Sequence, residues 1–213
     1  MKLTTPADEL FRVLGWPVDP SWDHARWNVA PSQDVLALRG GGDHLEPMRF
    51  GLDDGRRLHI NARAETLFAR PAFRECAWAR RCAVVMDGFY EWRRAGGTRA
   101  EPFLFERPDR SPFWLAAVFA ERPGGAPGVA IVTTAASPVV AEVHDRMPAL
   151  LTGDALTRWL DPRECVAVLQ GLLAPDDRLT RCAVSAHVNS AAHDDPRCAG
   201  PPEPEPQLPL FGS

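Results

Sequence analysis

The sequence predicts an α+β domain, a curved, mostly antiparallel β-sheet or open barrel with peripheral helices. Three observations carry that expectation. Short apolar runs rich in valine, phenylalanine and tryptophan, separated by glycine and proline, crowd the middle of the chain. Helical periodicity is strongest toward the two ends, with only short stretches between. At 213 residues and 45% hydrophobic content the chain can bury one substantial core.

Taken in order, Thr5 is placed to cap a helix, with Pro6 at its first position and Asp8 completing a capping box. Leu10, Phe11 and Leu14 form its apolar face, and Gly15 ends it. Trp22 and Trp27 then lead into Asn28-Val29-Ala30-Pro31, where proline imposes extended backbone before a strand over 35–38. Asn28 either caps a turn there or contacts a ligand. Gly40-Gly41-Gly42 is a turn, and no Gly-Lys-Ser/Thr follows, which excludes a P-loop. Strands are predicted over 48–52 and 58–60, with Asn61 where strand gives way to helix. Helical stretches over 64–69 and 73–79 are broken by Pro71 and would bury Phe68, Phe73 and Trp78. Strands follow over 82–86, 88–93, 103–105, 113–119 and 129–134, then helices over 152–160 and 164–173, and a last strand over 181–184.

No apolar run approaches the span of a bilayer, and residues 1–5 lack the apolar core of a signal peptide, so a cytoplasmic, nucleoid-associated monomer with no membrane partner is expected. Five cysteines, 76, 82, 165, 182 and 198, contain no Cys-x-x-Cys pair, which argues against a disulfide framework and a zinc site; no metal or other cofactor is expected. The total charge is −4, yet residues 56–99 hold ten arginines against four acids, a net +6. That basic middle keeps nucleic acid open as a partner, with a solvated mixed surface as the alternative.

Three side chains suit chemistry. Glu91 lies in Asp87-Gly88-Phe89-Tyr90-Glu91-Trp92, on a strand beside aromatic residues; burial there would push its carboxyl toward proton exchange near neutral pH, while a water-facing strand residue is the alternative. His144, in an irregular segment next to Arg146, is an acid-base candidate or a structural histidine. Asn61 stands at an element boundary.

Together these residues resemble a family. Asn61-Ala-Arg-Ala-Glu, Arg81-Cys82 followed by Gly-Phe-Tyr-Glu91-Trp, Thr133-Thr134-Ala135 and His144-Asp-Arg-Met-Pro, in that order and spacing, resemble the SOS response-associated peptidase (SRAP) family. The likeness runs from the helix at Thr5 through Asn28-Val-Ala-Pro to Val188-Asn189-Ser190. It implies one SRAP-like domain over 1–198 that binds single-stranded DNA and senses abasic sites. A cysteine left at the N-terminus after methionine removal would form the crosslink: its amine attacks the ring-opened sugar aldehyde and its thiol closes a thiazolidine. By the same resemblance Asn61 orients the terminal residue, Glu91 is the acid-base group in methionine removal and ring chemistry, and His144 assists sugar opening and crosslink reversal. Arg63, Thr133 and Arg146 would hold the DNA backbone, with Asn28 and Trp92 also in contact with DNA. The chain has Phe50-Gly51-Leu52 where the family has Trp-Gly-Leu, so Phe50 would stack on bases in place of a tryptophan.

The beginning departs from the family, whose members open Met-Cys-Gly-Arg and an aromatic residue; Met1 stands where that aromatic residue would be. A start codon placed a few codons late, a real loss of crosslinking, or aldehyde capture by the Met1 amine alone would each account for this. The first is favoured, because Asn61, Glu91 and His144 all persist. A crosslinking-inactive DNA-binding module and a protease acting on other proteins are the rival functions. Residues 199–213 form a Pro/Glu-rich tail expected to be disordered. It ends in Gln207-Leu208-Pro209-Leu210-Phe211, which resembles the peptide that docks on the bacterial sliding clamp, the alternative being a terminus that folds back on its own domain.

Overall fold

The computed structural model describes residues 1–22, 24–94 and 100–203, so the tail residues Gln207, Leu208, Leu210 and Phe211 lie outside the described residues. In chain order the strands are β1 (Asp34–Arg39), β2 (Glu46–Phe50), β3 (Leu52–Asp53), β4 (Leu58–His59), β5 (Asn61–Arg63), β6 (Arg81–Met86), β7 (Gly88–Arg93), β8 (Glu101–Glu106), β9 (Phe113–Arg122), β10 (Gly125–Ala135), β11 (Arg146–Pro148), β12 (Leu150–Leu151) and β13 (Thr180–Ala183). The helices are α1 (Ala7–Leu14), α2 (Pro71–Ala79), α3 (Pro138–Ala141), α4 (Asp154–Leu160) and α5 (Val166–Gly171).

The sheet curves as the sequence predicts and closes into a barrel. β2 pairs with β1, β1 with β6, β6 with β9, and β9 returns through a turn at Gly124 to β10, all antiparallel; β10 then meets β2 in parallel. Valine, leucine and alanine fill the interior, and all six residues of β6 are buried because helices cover its outer face. Arg81 opens that strand. It is buried and donates to the carbonyl oxygens of Ala77 and Trp78 at the end of α2 and of Trp159 and Asp161 at the end of α4, so one guanidinium satisfies the exposed C-terminal carbonyls of two helices. A second sheet, β13-β8-β7, stands against the barrel.

The chain passes from barrel to second sheet at Asp87-Gly88, between β6 and β7. Gly88 is required at this point: a Cβ would meet the Phe105 carbonyl oxygen at 2.9 Å. Asp87 is buried and accepts from the backbone N–H and hydroxyl groups of both Thr4 and Thr5. With Lys2 bridging Gly88 and Leu3 bridging Arg26, these bonds sew residues 1–5 onto the junction.

That role corrects the predicted cap. Thr5 gives its hydroxyl to Asp87 (2.7 Å), Pro6 precedes α1, and no side chain caps the helix. Leu10 is its one fully buried residue, while Phe11 is 54% exposed, because eight residues make two turns and one narrow buried stripe. Gly15 ends the helix in the left-handed region, φ 79°, as expected. Phe73 is buried, but Trp78 is 53% exposed on the outer side of α2. Asn61 opens strand β5 rather than a helix, and the predicted 64–69 helix shrinks to one 3-10 turn, Ala64–Thr66. Of the cysteines, Cys76, Cys82 and Cys198 are buried and Cys165 and Cys182 exposed, all as free thiols. Among the described residues no helix is long and apolar enough to cross a membrane.

Candidate active site

Strand β10 assembles much of the site. Its second half pairs in parallel with β5, Ile131 opposite Asn61 and Thr133 opposite Arg63, and antiparallel with β11, Ala135 opposite Arg146. Residues far apart in the sequence thus become neighbours on one sheet edge. Glu91 arrives from the second sheet on β7. Along that strand Phe89 packs into the barrel core, stacked on Phe105 with ring centroids 5.2 Å apart, whereas Tyr90 and Trp92 join a smaller cluster with Leu104, Val184 and Val188. Alternation puts Glu91 on the Phe89 side, over the barrel mouth.

The result is a cleft of about 350 Å³ bounded by Met1, Phe50, Asn61, Glu91, Trp92 and Asn189 among others. Beyond Glu91 the depression continues to His144 and Asp145. His144 Nδ1 lies 4.0 Å from the Glu91 carboxylate and within hydrogen-bond distance of both the backbone N–H (3.0 Å) and the carbonyl oxygen (3.1 Å) of Arg146. Glu91, His144 and Asn61 therefore line one continuous surface.

Electrostatics distinguish two of these groups. Burial disfavours the Glu91 carboxylate and raises its pKa to about 7, against the opposing pull of His144 and the Met1 amine. The Met1 α-amine donates to the Val29 carbonyl oxygen at 3.0 Å, and burial lowers its pKa from 8.0 to about 5, although Glu91 and Asp194 pull the other way. A neutral amine and a carboxyl at its midpoint thus face the same cleft near pH 7.

The remaining predicted residues divide. Arg63 is exposed and ion-pairs with no carboxylate among the described residues. Arg146 instead grips Glu65 through two nitrogens, at 2.6 and 3.0 Å, and donates to the Thr133 carbonyl oxygen, so its charge is already met within the protein. Thr133 is buried beneath it. Asn28 is only 5% exposed and gives its amide hydrogens to Val188 and Ser190 carbonyl oxygens, which fixes the segment on one side of the cleft. Phe50 is 7% exposed, a wall of the cleft rather than a projecting wedge. Trp92 donates its indole N–H to Asn189 at 2.7 Å.

Three contributors escaped the sequence reading. Asp194 binds Arg26 (2.6 Å) and the backbone N–H groups of Trp27 and Asn28, holding the segment to which Met1 is bonded. Glu65 neutralises Arg146, and Asn189 orients Trp92. Asp194 acts across more than half the chain and Asn189 across 97 residues, and no local pattern announces such a contact; Glu65 and Asn189 lay inside the quoted Asn61-Ala-Arg-Ala-Glu and Val188-Asn189-Ser190 stretches without a partner to suggest their roles.

Comparison with known proteins agrees with this architecture. The chain is 34% identical over 190 residues to the Bacillus subtilis abasic site processing protein YoqW, covering 81% of this chain and 84% of that protein. It is 32% identical over 216 residues to the Gallus gallus abasic site processing protein HMCES, covering 88% of this chain and 63% of that one. A crystal structure of a protein from Bacteroides thetaiotaomicron shares the fold, with a TM-score of 0.81 at 22% identity over 94% of this chain and 98% of that chain. The model of the SOS response associated peptidase (SRAP) family matches residues 1–191, and the chain belongs to that family.

Proposed function

We propose that this protein processes abasic sites in single-stranded DNA during the damage response, with the cleft at Glu91 receiving the ring-opened sugar. The observation that carries this reading is the meeting of the Asn61 amide and a carboxyl with a pKa of about 7 in one cleft that Met1 also lines, beside a histidine. The relatives named as abasic site processing proteins support the same substrate. His144 assists opening of the sugar, in which a proton leaves the C1′ hydroxyl and one is delivered to the ring oxygen. An α-amine then adds its lone pair to the C1′ aldehyde, and Glu91 protonates the carbinolamine hydroxyl so that it departs as water and leaves an imine. Where that amine belongs to an N-terminal cysteine, the thiol adds to the imine carbon, its proton passes to the nitrogen, and a thiazolidine closes. Glu91 also serves the hydrolysis that removes an initiator methionine ahead of such a cysteine. Arg63 holds the DNA backbone, and Phe50 and Trp92 offer ring surface to bases near the lesion. The tail residues Gln207, Leu208, Leu210 and Phe211 dock the protein on the sliding clamp.

The test compares the 213-residue chain with the same chain extended by Met-Cys-Gly-Arg and carrying an aromatic residue in place of Met1, each incubated with abasic single-stranded DNA. The extended form is expected to give a denaturant-resistant adduct, and the shorter form an adduct only after borohydride reduction. Glu91→Gln in the extended form is expected to slow adduct formation by about a hundredfold. Absence of any adduct from the extended form overturns the reading, and Glu91-dependent turnover of a peptide library would point to the protease function instead.

A further inference from the structure

Exposed Trp78 and half-buried Phe68 form an aromatic pair that the cleft does not use. Their rings meet edge to face at 5.9 Å, and Trp78 keeps 53% of its surface open, a large indole in water where the core has room for none of it. Arg74 lies one helical turn before Trp78 on the same face of α2, and Arg70 precedes the helix with its guanidinium 5.7 Å from the Phe73 ring. Both arginines are exposed and make no ion pair among the described residues. The only carboxylate on α2, Glu75, is already bound to Arg80 at 2.6 Å. Most other arginines of the protein are matched to a carboxylate, as Arg39, Arg93, Arg146, Arg158, Arg178 and Arg197 are. On this face of α2, arginines without a carboxylate partner therefore lie beside exposed aromatic surface.

The patch follows the cleft residues along the chain. Asn61 and Arg63 on β5 run directly into Glu65, which is bonded to Arg146, and Phe68 follows three residues later, within about 11 Å of Glu65 along the chain. We propose that Arg70, Arg74, Phe68 and Trp78 form a second nucleic-acid contact, which takes the single strand flanking the lesion: phosphates on the two guanidinium groups and a base on the Trp78 indole. Alternating cation and aromatic surface is what a strand with a regular backbone charge and sequence-independent π-faces fits, whereas an acidic protein surface would use the arginines and leave the indole unexplained. This inference rests on the single-stranded DNA reading of the cleft.

Fluorescence anisotropy with two oligonucleotides separates the two ideas. One spans about 4 nucleotides around a tetrahydrofuran abasic analogue and the other about 16. Wild-type protein is expected to bind the longer one more tightly. Trp78→Ala is expected to weaken binding of the longer strand by about tenfold, with Trp78→Phe restoring most of it. Arg70→Ala with Arg74→Ala is expected to flatten the dependence of log K on log salt by about 1.4. All three variants are expected to bind the short oligonucleotide as wild type does and to unfold at the same temperature. Wild-type affinity and salt slope in both alanine variants on the long strand overturn the inference and leave the patch to a protein surface. Failure of wild type on the short lesion strand overturns the lesion reading instead, while the length effect stays measurable on undamaged DNA.

Discussion

Glu91 combines a charged residue's identity with a half-buried place on the wall of the cleft. Its folded pKa of about 7 lies above the ordinary 4.5, so between those values the folded protein holds a proton that the unfolded chain has released. Stability from this group falls as pH rises through that window. The Met1 amine works in the other direction: held near 5 against 8.0, it is protonated only in the unfolded chain between those values, and stability rises with pH. The two slopes oppose one another in the 213-residue chain. Glu91→Gln removes one of them, so the variant is expected to gain on wild type as pH rises from about 5 to 8, by about 2 kcal/mol. Urea denaturation at several pH values reads this directly; a constant difference would show Glu91 to be solvated. The sequence pointed to this residue because a carboxylate between aromatic neighbours is conspicuous. Tyr90 and Trp92 line the cleft with it, and the barrel mouth, which no local pattern shows, adds further walls such as Phe50 and Ile131.

At the scale of elements, the strands with strong apolar character were legible: β7 is Gly88–Arg93 as predicted, and β6 differs by one residue from 82–86. Short strands were not, because β5, β11 and β12 have two or three residues each and owe their existence to pairing with β9 or β10 rather than to any pattern of their own. The predicted cap at Thr5 failed for a related reason. A hydroxyl ahead of a helix satisfies either the helix or a stronger acceptor nearby, and Asp87, brought from the β6 to β7 junction, is the stronger one. This junction holds the first five residues, and with them one side of the cleft. Asp87→Ala strands the Thr4 and Thr5 backbone donors against the sheet and is expected to cost about 3 kcal/mol, a fall of roughly 6–12 °C in Tm. Hydrogen exchange at Thr4 and Thr5 should accelerate in parallel; unchanged protection there would mean that the N-terminal segment is held by its bridges to Gly88 and Arg26 alone.

Across the whole molecule, the position of charge says more than its total. A chain of net −4 has, among its described residues, arginines without a carboxylate partner at 63, 70 and 74, following one another from strand β5 into α2, besides others such as Arg56, Arg57 and Arg122. The total would have argued against a polyanion; the distribution argues for one. The proposed clamp docking of the tail would be a different kind of attachment. Gln207-Leu208-Pro209-Leu210-Phe211 carries three apolar side chains and no charge, so its proposed docking on the clamp depends on Leu208, Leu210 and Phe211 filling an apolar pocket and should resist salt that strips DNA from arginines. Leu210→Ala with Phe211→Ala is expected to weaken binding to purified sliding clamp by at least about thirtyfold, an anchor loss of about 2 kcal/mol or more, while affinity for abasic single-stranded DNA stays at the wild-type value. Surface plasmon resonance on immobilised clamp, at low and at high salt, measures both quantities. Clamp binding that survives the double substitution, or that disappears with salt in step with DNA binding, would assign the contact to the basic surface of the domain and not to the tail.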